Sequence, residues 1–412
     1  MAQNSSIVPA VPFDVFSEIV YGSPPFREFD NLIQIEGTDV LRFPSTSGVR
    51  HLSRSIQYAK LLFEGTRADR ILVVGDRTVE RATCMFHLDE NLKRLAAGAR
   101  ELGIKLNAGL DELFFAYASL IVINGMHEKI TYNGEEVKTL YGRPFTNSLD
   151  GYFIGLPGEG KGIVTTILIP FKGYDTSVDA SKGIVAVFSN DLRPRGDLPS
   201  PNIKAGMNYV WAAVEKNKWD ALYAEWVQKY PEWAKKYPKM TEVLMATNAG
   251  TVAEGSVDNI AMVRKTRTGV EIVTPRSACL PGFTMQLIGL IAQEHRIPFK
   301  RSDFTTSELL EDKNTAAVFI TGTAMGPTPV DFIANPALKL GSGIKGREYG
   351  SSQDPTVKFL IGEYNQVLSS TAAYGKWDLW MDLRDLFTAK QVSRLEQIGG
   401  YIREERAKNP VV

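Results

Sequence analysis

The chain has 412 residues, more than one ordinary hydrophobic core holds, so two domains are expected. Its 47 basic side chains match its 47 acidic ones, which argues against nucleic acid or an anionic membrane surface as a partner. Two cysteines, Cys84 and Cys279, are too few for a disulfide framework and are typical of a reducing compartment. The four histidines are scattered, so no metal site is predicted. With no secretory-signal pattern and no apolar stretch of membrane-spanning length, a cytoplasmic protein is expected.

In the first half of the chain, residue patterns predict an irregular extension, two helices and several strands. Residues 1–45 are rich in Pro and Ser and show little periodicity. Apolar residues recur at helical spacing, and β-branched runs bounded by glycine or charge predict strands. The predicted helices lie at 88–102 and within 110–126, and the predicted strands lie at 138–145, 162–171 and 182–189.

The segment "FKGYDTSVDASKG", residues 171–183, has the composition of a linker. It predicts a smaller N-terminal α/β domain over 1–170 and a larger domain over 184–412. Helices and strands continue to mix in the second half without strict alternation, so the fold class is α+β or mixed α/β. The elements predicted there are strands at 242–250, 259–265 and 316–324, a helix at 284–295, and helices near the C-terminus.

An aromatic stripe marks a helical insertion at about 216–240. Trp219, Tyr223, Trp226 and Tyr230 are spaced along one helical face, and Pro231 then interrupts the helix. Such stripes usually pack on their own domain, and we favour that interpretation. The alternative is a subunit contact or a lid over an active site.

Lys204 stands apart from the other lysines because it lies between a proline-rich turn and an apolar run, in "PSPNIKAGMNYVWAAV". A lysine in such a turn is most often a solvent-exposed structural residue. An amine that attacks a carbonyl, however, needs a site that lowers its pKa or holds it against its target. Lys204 is therefore a candidate nucleophile.

Three segments further along could serve the same chemistry. Glu254 ends a predicted strand in "TVAEGSVDNIAMV", where a carboxylate could be a solvated turn residue or could hold a proton on a heteroaromatic nitrogen. "LPGFT" opens a helix at Thr284, which could be an ordinary N-cap or an anion site. "TGTA", residues 321–324, follows a strand with small residues that allow an anion to approach closely.

The order of these segments resembles the class IV aminotransferases, which are fold-type IV pyridoxal-phosphate enzymes, and most closely the branched-chain amino-acid aminotransferases. Each segment alone is a weak signal, but seven in the family's order argue strongly against a chance match. The resemblance implies a two-domain fold like that of D-amino-acid aminotransferases. The seven segments, spread over about 58–330, are "YAKLLFEGTR", "ENLKRL", "YGRP", "KAGMNY", "AEGSVDNI", "LPGFT" and "TGTAMGPTPV".

The resemblance implies a role for each cofactor-binding residue. Lys204 would form the Schiff base with pyridoxal 5'-phosphate and move the proton, Tyr209 would hydrogen-bond the phenolic oxygen, and Glu254 would keep the pyridine nitrogen protonated. The phosphate would be bound by Arg94, Phe283, Thr284 and Thr323. An arginine suits phosphate because its planar donors bind two oxygens at once. Arg94 lies off the apolar stripe of its helix, so only the motif distinguishes it from a solvated arginine.

The resemblance also implies a substrate pocket that accepts both an aliphatic and an acidic side chain. Arg143 in "YGRP" would pair with the second carboxylate of glutamate, and some pocket residues would come from a neighbouring subunit, which implies a homodimer. Departures from the family's pattern concern the rim: Met285 replaces an arginine, Lys60 is bulky, and Phe171 stands where tryptophan is common. The implied substrate-binding residues are Tyr58, Phe63, Gly65, Tyr141, Arg143, Phe171, Tyr174 and Ala324.

The expected function is a transaminase that moves an amino group between a hydrophobic, branched-chain-like L-amino acid and 2-oxoglutarate. Alternatives are a transaminase for a specialised oxo acid or an amine, a lyase or decarboxylase on the same scaffold, and a binding protein without turnover. Intact Lys204, Tyr209 and Glu254 argue against the last of these.

Overall fold

The structure of the chain is a computed structural model that describes most of its residues. Among the described helices, none combines the length and the apolar character that crossing a membrane requires. The described residues are 32–35, 40–42, 61–75, 78–106, 108–132, 134–148, 160–172, 183–189, 200, 202–237, 240–335, 346–372, 377 and 379–408.

Helices and strands alternate irregularly along the described part of the chain. The helices are α1 (Leu88–Glu101), α2 (Leu110–Ile123), α3 (Met207–Lys229), α4 (Pro231–Lys236), α5 (Phe283–Glu294), α6 (Thr306–Leu310), α7 (Pro355–Val367) and α8 (Ala389–Lys408). The strands are β1 (Leu32–Ile35), β2 (Val40–Arg42), β3 (Leu61–Phe63), β4 (Thr66–Val74), β5 (Val79–Phe86), β6 (Ile104–Leu106), β7 (Thr131–Tyr132), β8 (Glu135–Glu136), β9 (Thr139–Ser148), β10 (Gly160–Phe171), β11 (Ile184–Phe188), β12 (Met240–Ala246), β13 (Val252–Gly255), β14 (Asn259–Thr266), β15 (Gly269–Thr274), β16 (Phe299–Arg301), β17 (Thr315–Gly322), β18 (Gly326–Ala334), β19 (Gly346–Glu348) and β20 (Trp380–Asp382).

Contacts divide the chain into two compact units, one of Met1–Lys172 with Leu368–Val412 and one of Gly173–Val367. The break after Lys172 lies within the predicted linker, 171–183, most of which is outside the described residues. The C-terminal segment differs from the prediction, which assigned all of 184–412 to the second domain. It belongs to the first unit because β20 pairs antiparallel with β5 and the Arg403 guanidinium of α8 donates to the Ile123 carbonyl.

The first unit is built on a sheet with the strand order β2-β1-β10-β9-β4-β5-β20. Helix α1 carries the predicted apolar stripe on its buried side, with Leu88, Leu92 and Leu95 all buried. Strands β4 and β5 were not predicted, because charged residues interrupt their apolar pattern. In the structure Arg67 and Asp69 are both buried and form an ion pair at 2.7 Å on one face of β4.

The second unit contains a sheet with the order β13-β12-β11-β18-β17-β14-β15-β16. Its central strand β11, "IVAVF", pairs in parallel with β12 and β18 and is buried on both faces, as its continuous apolar run predicts. Ile184, Ala186 and Phe188 pack into one core cluster, while Val185 and Val187 pack into another on the opposite face.

The aromatic stripe packs within its own unit, which confirms the favoured interpretation. Trp219, Tyr223 and Trp226 are buried in the cluster that also contains Val185 and Val187. The Tyr223 hydroxyl donates to the Tyr237 carbonyl at 2.8 Å, which holds the segment after α4 against α3. Helix α3 begins at Met207, so the aromatic segment continues the helix that follows the lysine turn.

Candidate active site

The Lys204 turn is fixed by its buried neighbours and by local hydrogen bonds. Ile203 and Ala205 are buried on either side of the half-buried lysine, and the Asn208 amide donates to the Ile203 carbonyl at 3.0 Å. The turn leads into α3, which places Tyr209 beside the lysine. Lys204 Nζ donates to Tyr209 Oη at 3.0 Å. The unusual position of this lysine therefore presents its amine to a phenol hydroxyl.

Glu254 lies at the end of β13 with its carboxylate buried. Its Oε2 accepts from the Leu280 backbone N–H at 2.8 Å and from Asn259 Nδ2 at 3.3 Å. Asn259 also donates to the Leu280 carbonyl at 2.8 Å, so one asparagine joins β14 to the segment before α5. Glu254 is thus an oriented carboxylate, held by groups from two elements.

Helix α5 starts at Phe283, directly beside Glu254 and its partners. Gly282 is the N-cap residue, and no side chain caps the helix. A Cβ at Gly282 would lie 1.9 Å from Asn259 Oδ1, so only glycine fits at this close approach. Thr284 is buried in the first turn. An uncapped first turn is the kind of site that binds anions, because its N–H groups point outward along the positive end of the helix dipole.

The hairpin between β17 and β18, residues 321–326, forms what we call the Gly-Thr loop. Thr321 pairs with Asn259 in the sheet, which brings the loop beside the Glu254 segment. Thr323 and Ala324 are half-buried at its tip. A Cβ at Gly322 would lie 2.0 Å from Asp258 Oδ1, so the Asp258 carboxyl rests against the loop backbone.

Two buried carboxyl groups next to these residues were not among the predicted site residues. Glu242 of β12 and Asp258, in the turn between β13 and β14, are 2% and 6% exposed and are hydrogen-bonded to each other. Burial, followed by the charge of Glu242, raises the pKa of Asp258 well above its usual range, and Lys204 acts in the opposite direction. The sequence signal for Glu242 was a single acid in the apolar run "EVLMA"; Asp258 lay inside a recognised motif but was given no role.

Five of the predicted substrate residues cluster in the first unit. Arg143 Cζ lies 4.7 Å from the centre of the Phe63 ring and 5.7 Å from that of Tyr141. Its Nη2 donates to Tyr141 Oη at 3.1 Å, and the Tyr141 ring lies 5.6 Å from that of Phe171. A Cβ at Gly65 would come within 2.6 Å of Tyr141 Oη, so glycine makes room for the phenol. Tyr58 and Tyr174 lie outside the described residues.

Arg94 of α1 is held by a buried carboxylate in the same unit. Its Nε and Nη2 donate to the two oxygens of Glu64 at 2.8 and 2.6 Å, and Asn91 donates to Glu64 at 3.0 Å. Periodicity predicted no partner for this arginine, and the "FEGTR" motif held Glu64 without a role being assigned to it. A guanidinium has five N–H donors, so pairing with one carboxylate does not exhaust its capacity.

The groups in the second unit match pyridoxal phosphate chemically. The amine of Lys204 suits an aldehyde, the Tyr209 hydroxyl suits a phenolic oxygen, and the Glu254 carboxylate suits a ring nitrogen that carries a proton. The uncapped start of α5 suits a phosphate. Glycine at 282 lets Asn259, which also donates to Glu254, lie against the start of that helix.

Comparisons with known proteins agree with this chemistry. Residues 62–333 match the family described as amino-transferase class IV. D-alanine aminotransferase from Bacillus licheniformis is 24% identical over 295 residues, which cover 70% of this chain and 85% of that protein. The structure of branched-chain amino acid aminotransferase from Escherichia coli is 20% identical, with a TM-score of 0.61, over 84% of this chain and 97% of that one.

A second solved structure, branched-chain aminotransferase from Thermoproteus uzoniensis with norvaline, is 22% identical, with a TM-score of 0.60, over 82% of this chain and 94% of that one. At these identities the structural likeness concerns the fold. The family match spans well over half of the chain, from β3 to β18. The chain therefore belongs to the class IV aminotransferases and is a pyridoxal-phosphate-dependent transaminase of fold-type IV.

Proposed function

We propose that this chain transfers the amino group of a hydrophobic, branched-chain-like L-amino acid to 2-oxoglutarate. The observation that carries the proposal is the guanidinium of Arg143 among aromatic rings, 4.7 Å from the centre of the Phe63 ring and bonded to Tyr141. Aromatic rings offer apolar surface to an aliphatic side chain. A guanidinium in that surface can pair with the second carboxylate of glutamate or 2-oxoglutarate. One pocket with both features would suit both half-reactions.

Lys204 is proposed to hold the cofactor and to move the proton at the substrate Cα. Bound pyridoxal phosphate supplies an aldehyde for the amino group and a ring that draws electrons from Cα. The hydrogen bond to Tyr209 orients the Lys204 amine and offers it a partner for its proton. An amine held in this way meets the geometric requirement for a general base.

The remaining cofactor-binding residues are proposed to orient the ring of the cofactor and to hold its phosphate. Glu254, fixed by the Leu280 N–H, would keep a proton on the ring nitrogen because a nearby carboxylate favours the protonated form. The phosphate is assigned to Arg94, to the α5 start at Phe283 and Thr284, and to Thr323. Ala324 is assigned to the substrate side. Tyr58 and Tyr174 stay predictions of pocket residues.

A second candidate is a transaminase for D-amino acids, because the relative from Bacillus licheniformis is named a D-alanine aminotransferase. The two candidates differ in which face of the substrate Cα loses its proton. The "YGRP" segment with its aromatic partners favours the first candidate. A specialised oxo acid or an amine as the substrate would leave the reaction class unchanged.

A donor panel tests the proposal. L-leucine, L-isoleucine, L-valine, D-alanine and (R)-1-phenylethylamine are each offered with 2-oxoglutarate or pyruvate, and the products are measured by chiral chromatography. The proposal expects the L-aliphatic donors with 2-oxoglutarate to give the highest kcat/KM. In Arg143→Met, KM for 2-oxoglutarate should rise about tenfold or more, as the loss of a charged hydrogen bond implies. The rate of the half-reaction with L-leucine, measured without an acceptor, should change less. Preference for D-alanine would overturn the first candidate and support the second.

A homodimer is also proposed. The first turns of α3 expose Val210, Trp211 and Val214, an apolar patch immediately after the Lys204 turn. Contiguous exposed apolar residues mark interaction surfaces. Light scattering at micromolar concentration should give twice the chain mass, and Val210→Lys with Val214→Lys should reduce it. Cys84 and Cys279, which are buried and form no disulfide with each other, are in keeping with the proposed cytoplasmic location.

A further inference from the structure

The buried carboxyl groups of Glu242 and Asp258 have no role in the proposed chemistry, yet they lie near residues that do. Lys204 and Glu254 act electrostatically on Asp258, which also contacts the Gly-Thr loop. Glu242 Oε1 accepts from the Val243 N–H at 2.6 Å, the Ser256 N–H at 2.8 Å and the Ser256 hydroxyl at 2.5 Å. Burial raises the pKa of Glu242, and the three donors on one oxygen act in the opposite direction by favouring its ionised form. A Cβ at Gly255 would lie 3.0 Å from Glu242 Oε2, so the second oxygen lies close over the β13 backbone.

Asp258 completes the arrangement. It is hydrogen-bonded to Glu242, and its backbone carbonyl accepts from the Gly255 N–H at 2.7 Å, which closes the turn. Two carboxylates cannot share a hydrogen bond unless one of them carries a proton. Because Glu242 already accepts hydrogen bonds from three donors, the shared proton is assigned to Asp258. The charged groups that act on Asp258 are Glu242, Lys204 and Glu254.

We propose that Asp258 is a positioning residue for the transaminase reaction. Its side chain is a neutral carboxylic acid that donates a hydrogen bond to ionised Glu242 and packs against the backbone of the Gly-Thr loop, which fixes the position of that loop. The contact is direct, since a Cβ at Gly322 would lie 2.0 Å from Asp258 Oδ1, and Thr323 is the next residue along the loop. Neutral Asp258 adds no further negative charge to those of Glu242 and Glu254 beside Lys204. The functional part of this inference rests on the proposed roles of Thr323 and Lys204.

The protonation of Asp258 is tested without cofactor or substrate. In the infrared spectrum of the apoprotein at pH 7, the carbonyl band of a protonated carboxylic acid should be present and should disappear in Asp258→Asn. The control Asp303→Asn should leave the band unchanged, because hydrogen bonds to Ser277 and Arg276 favour ionised Asp303. If Asp258→Asn does not fold, Glu242→Gln replaces the carboxylate acceptor of the Asp258 proton by an amide and should shift the band to a different frequency, because burial still favours neutral Asp258. A band that is unchanged in either variant overturns the inference.

The positioning role is tested by rescue in the holoenzyme. Asp258→Ala should raise the dissociation constant of pyridoxal phosphate, or KM for the amino acid, by about tenfold, the effect of losing one anchoring contact. Asp258→Asn, which keeps the size and the donor, should restore both to within about threefold. If Asp258→Asn raises these constants as much as Asp258→Ala does, the proposed positioning role of a neutral Asp258 side chain is refuted. The infrared result does not depend on the assignment of Lys204. Failure of the inference about Asp258 can therefore be distinguished from failure of the proposed function.

Discussion

Replacing Arg94 with methionine is expected to destabilise the apoprotein strongly, because it leaves Glu64 buried without its counter-ion. The Glu64 side chain is 1% exposed and that of Arg94 13%, and two hydrogen bonds of 2.8 and 2.6 Å join them. Removing one partner of a buried pair costs about 3–5 kcal/mol. The surviving bond from Asn91 offsets a small part of this cost. We therefore expect a loss of about 3 kcal/mol in the free energy of unfolding.

Urea unfolding of the apoprotein at pH 7 measures this loss. Arg100→Met, an exposed arginine at the end of the same helix, is the matched control and should change the free energy by less than about 0.5 kcal/mol. The double variant Arg94→Met with Glu64→Gln should recover about half of the loss, because no charge is left buried. A loss below about 1 kcal/mol in Arg94→Met, or no recovery in the double variant, would refute the reasoning.

The same variants separate the structural role of Arg94 from its proposed phosphate contact. The double variant keeps the local packing but lacks the guanidinium. Its affinity for pyridoxal phosphate should fall about tenfold or more, whereas its affinity for pyridoxal, which has no phosphate, should change little. Equal losses for the two compounds would show that Arg94 acts through stability alone.

Three further outcomes follow from single contacts. Tyr209→Phe removes the acceptor of the 3.0 Å lysine hydrogen bond and should lower kcat about tenfold or more while stability changes by about 1 kcal/mol; an unchanged kcat would show that the bond is not used. Gly282→Ala puts a Cβ 1.9 Å from Asn259 Oδ1 and should weaken cofactor binding measured by fluorescence titration, whereas Gly362→Ala, with nothing within 4 Å, should not. Burial, then Asp382, raises the pKa of the Cys84 thiol from 9.0 to about 12. Its stabilising contribution is thus complete below pH 9 and is lost as pH rises towards 12, so Cys84→Ala should flatten the decline of thermal stability in that window.

Local patterns in the sequence predicted the elements whose periodicity is uninterrupted. The apolar stripe of α1 and the continuous run of β11 each match one structural solution. Strand β4 was not predicted because Arg67 and Asp69, which form a buried ion pair, interrupt the apolar pattern that identifies a strand. Strand β20 was not predicted because it is three residues long and its partner β5 lies about 300 residues earlier. Pairing over that distance leaves no local signal.

The candidate site divides in the same way. The contact between Lys204 and Tyr209 spans five residues, so one motif contained both groups, and the structure brings them to 3.0 Å. Glu242 and Asp258 are 16 residues apart on different elements, and only the fold brings their carboxyl groups together. The partner of Arg94 was in view within "FEGTR", but a buried ion pair cannot be inferred from spacing across 30 residues.

Trapping the cofactor on the chain tests the assignment of Lys204. The holoenzyme is reduced with borohydride and digested, and the peptide that carries the pyridoxyl group is identified by mass spectrometry. The modification should be found on Lys204, and Lys204→Ala should lose both the modification and transaminase turnover. A pyridoxyl group on another lysine, together with undiminished turnover in Lys204→Ala, would contradict the mechanism proposed for this chain.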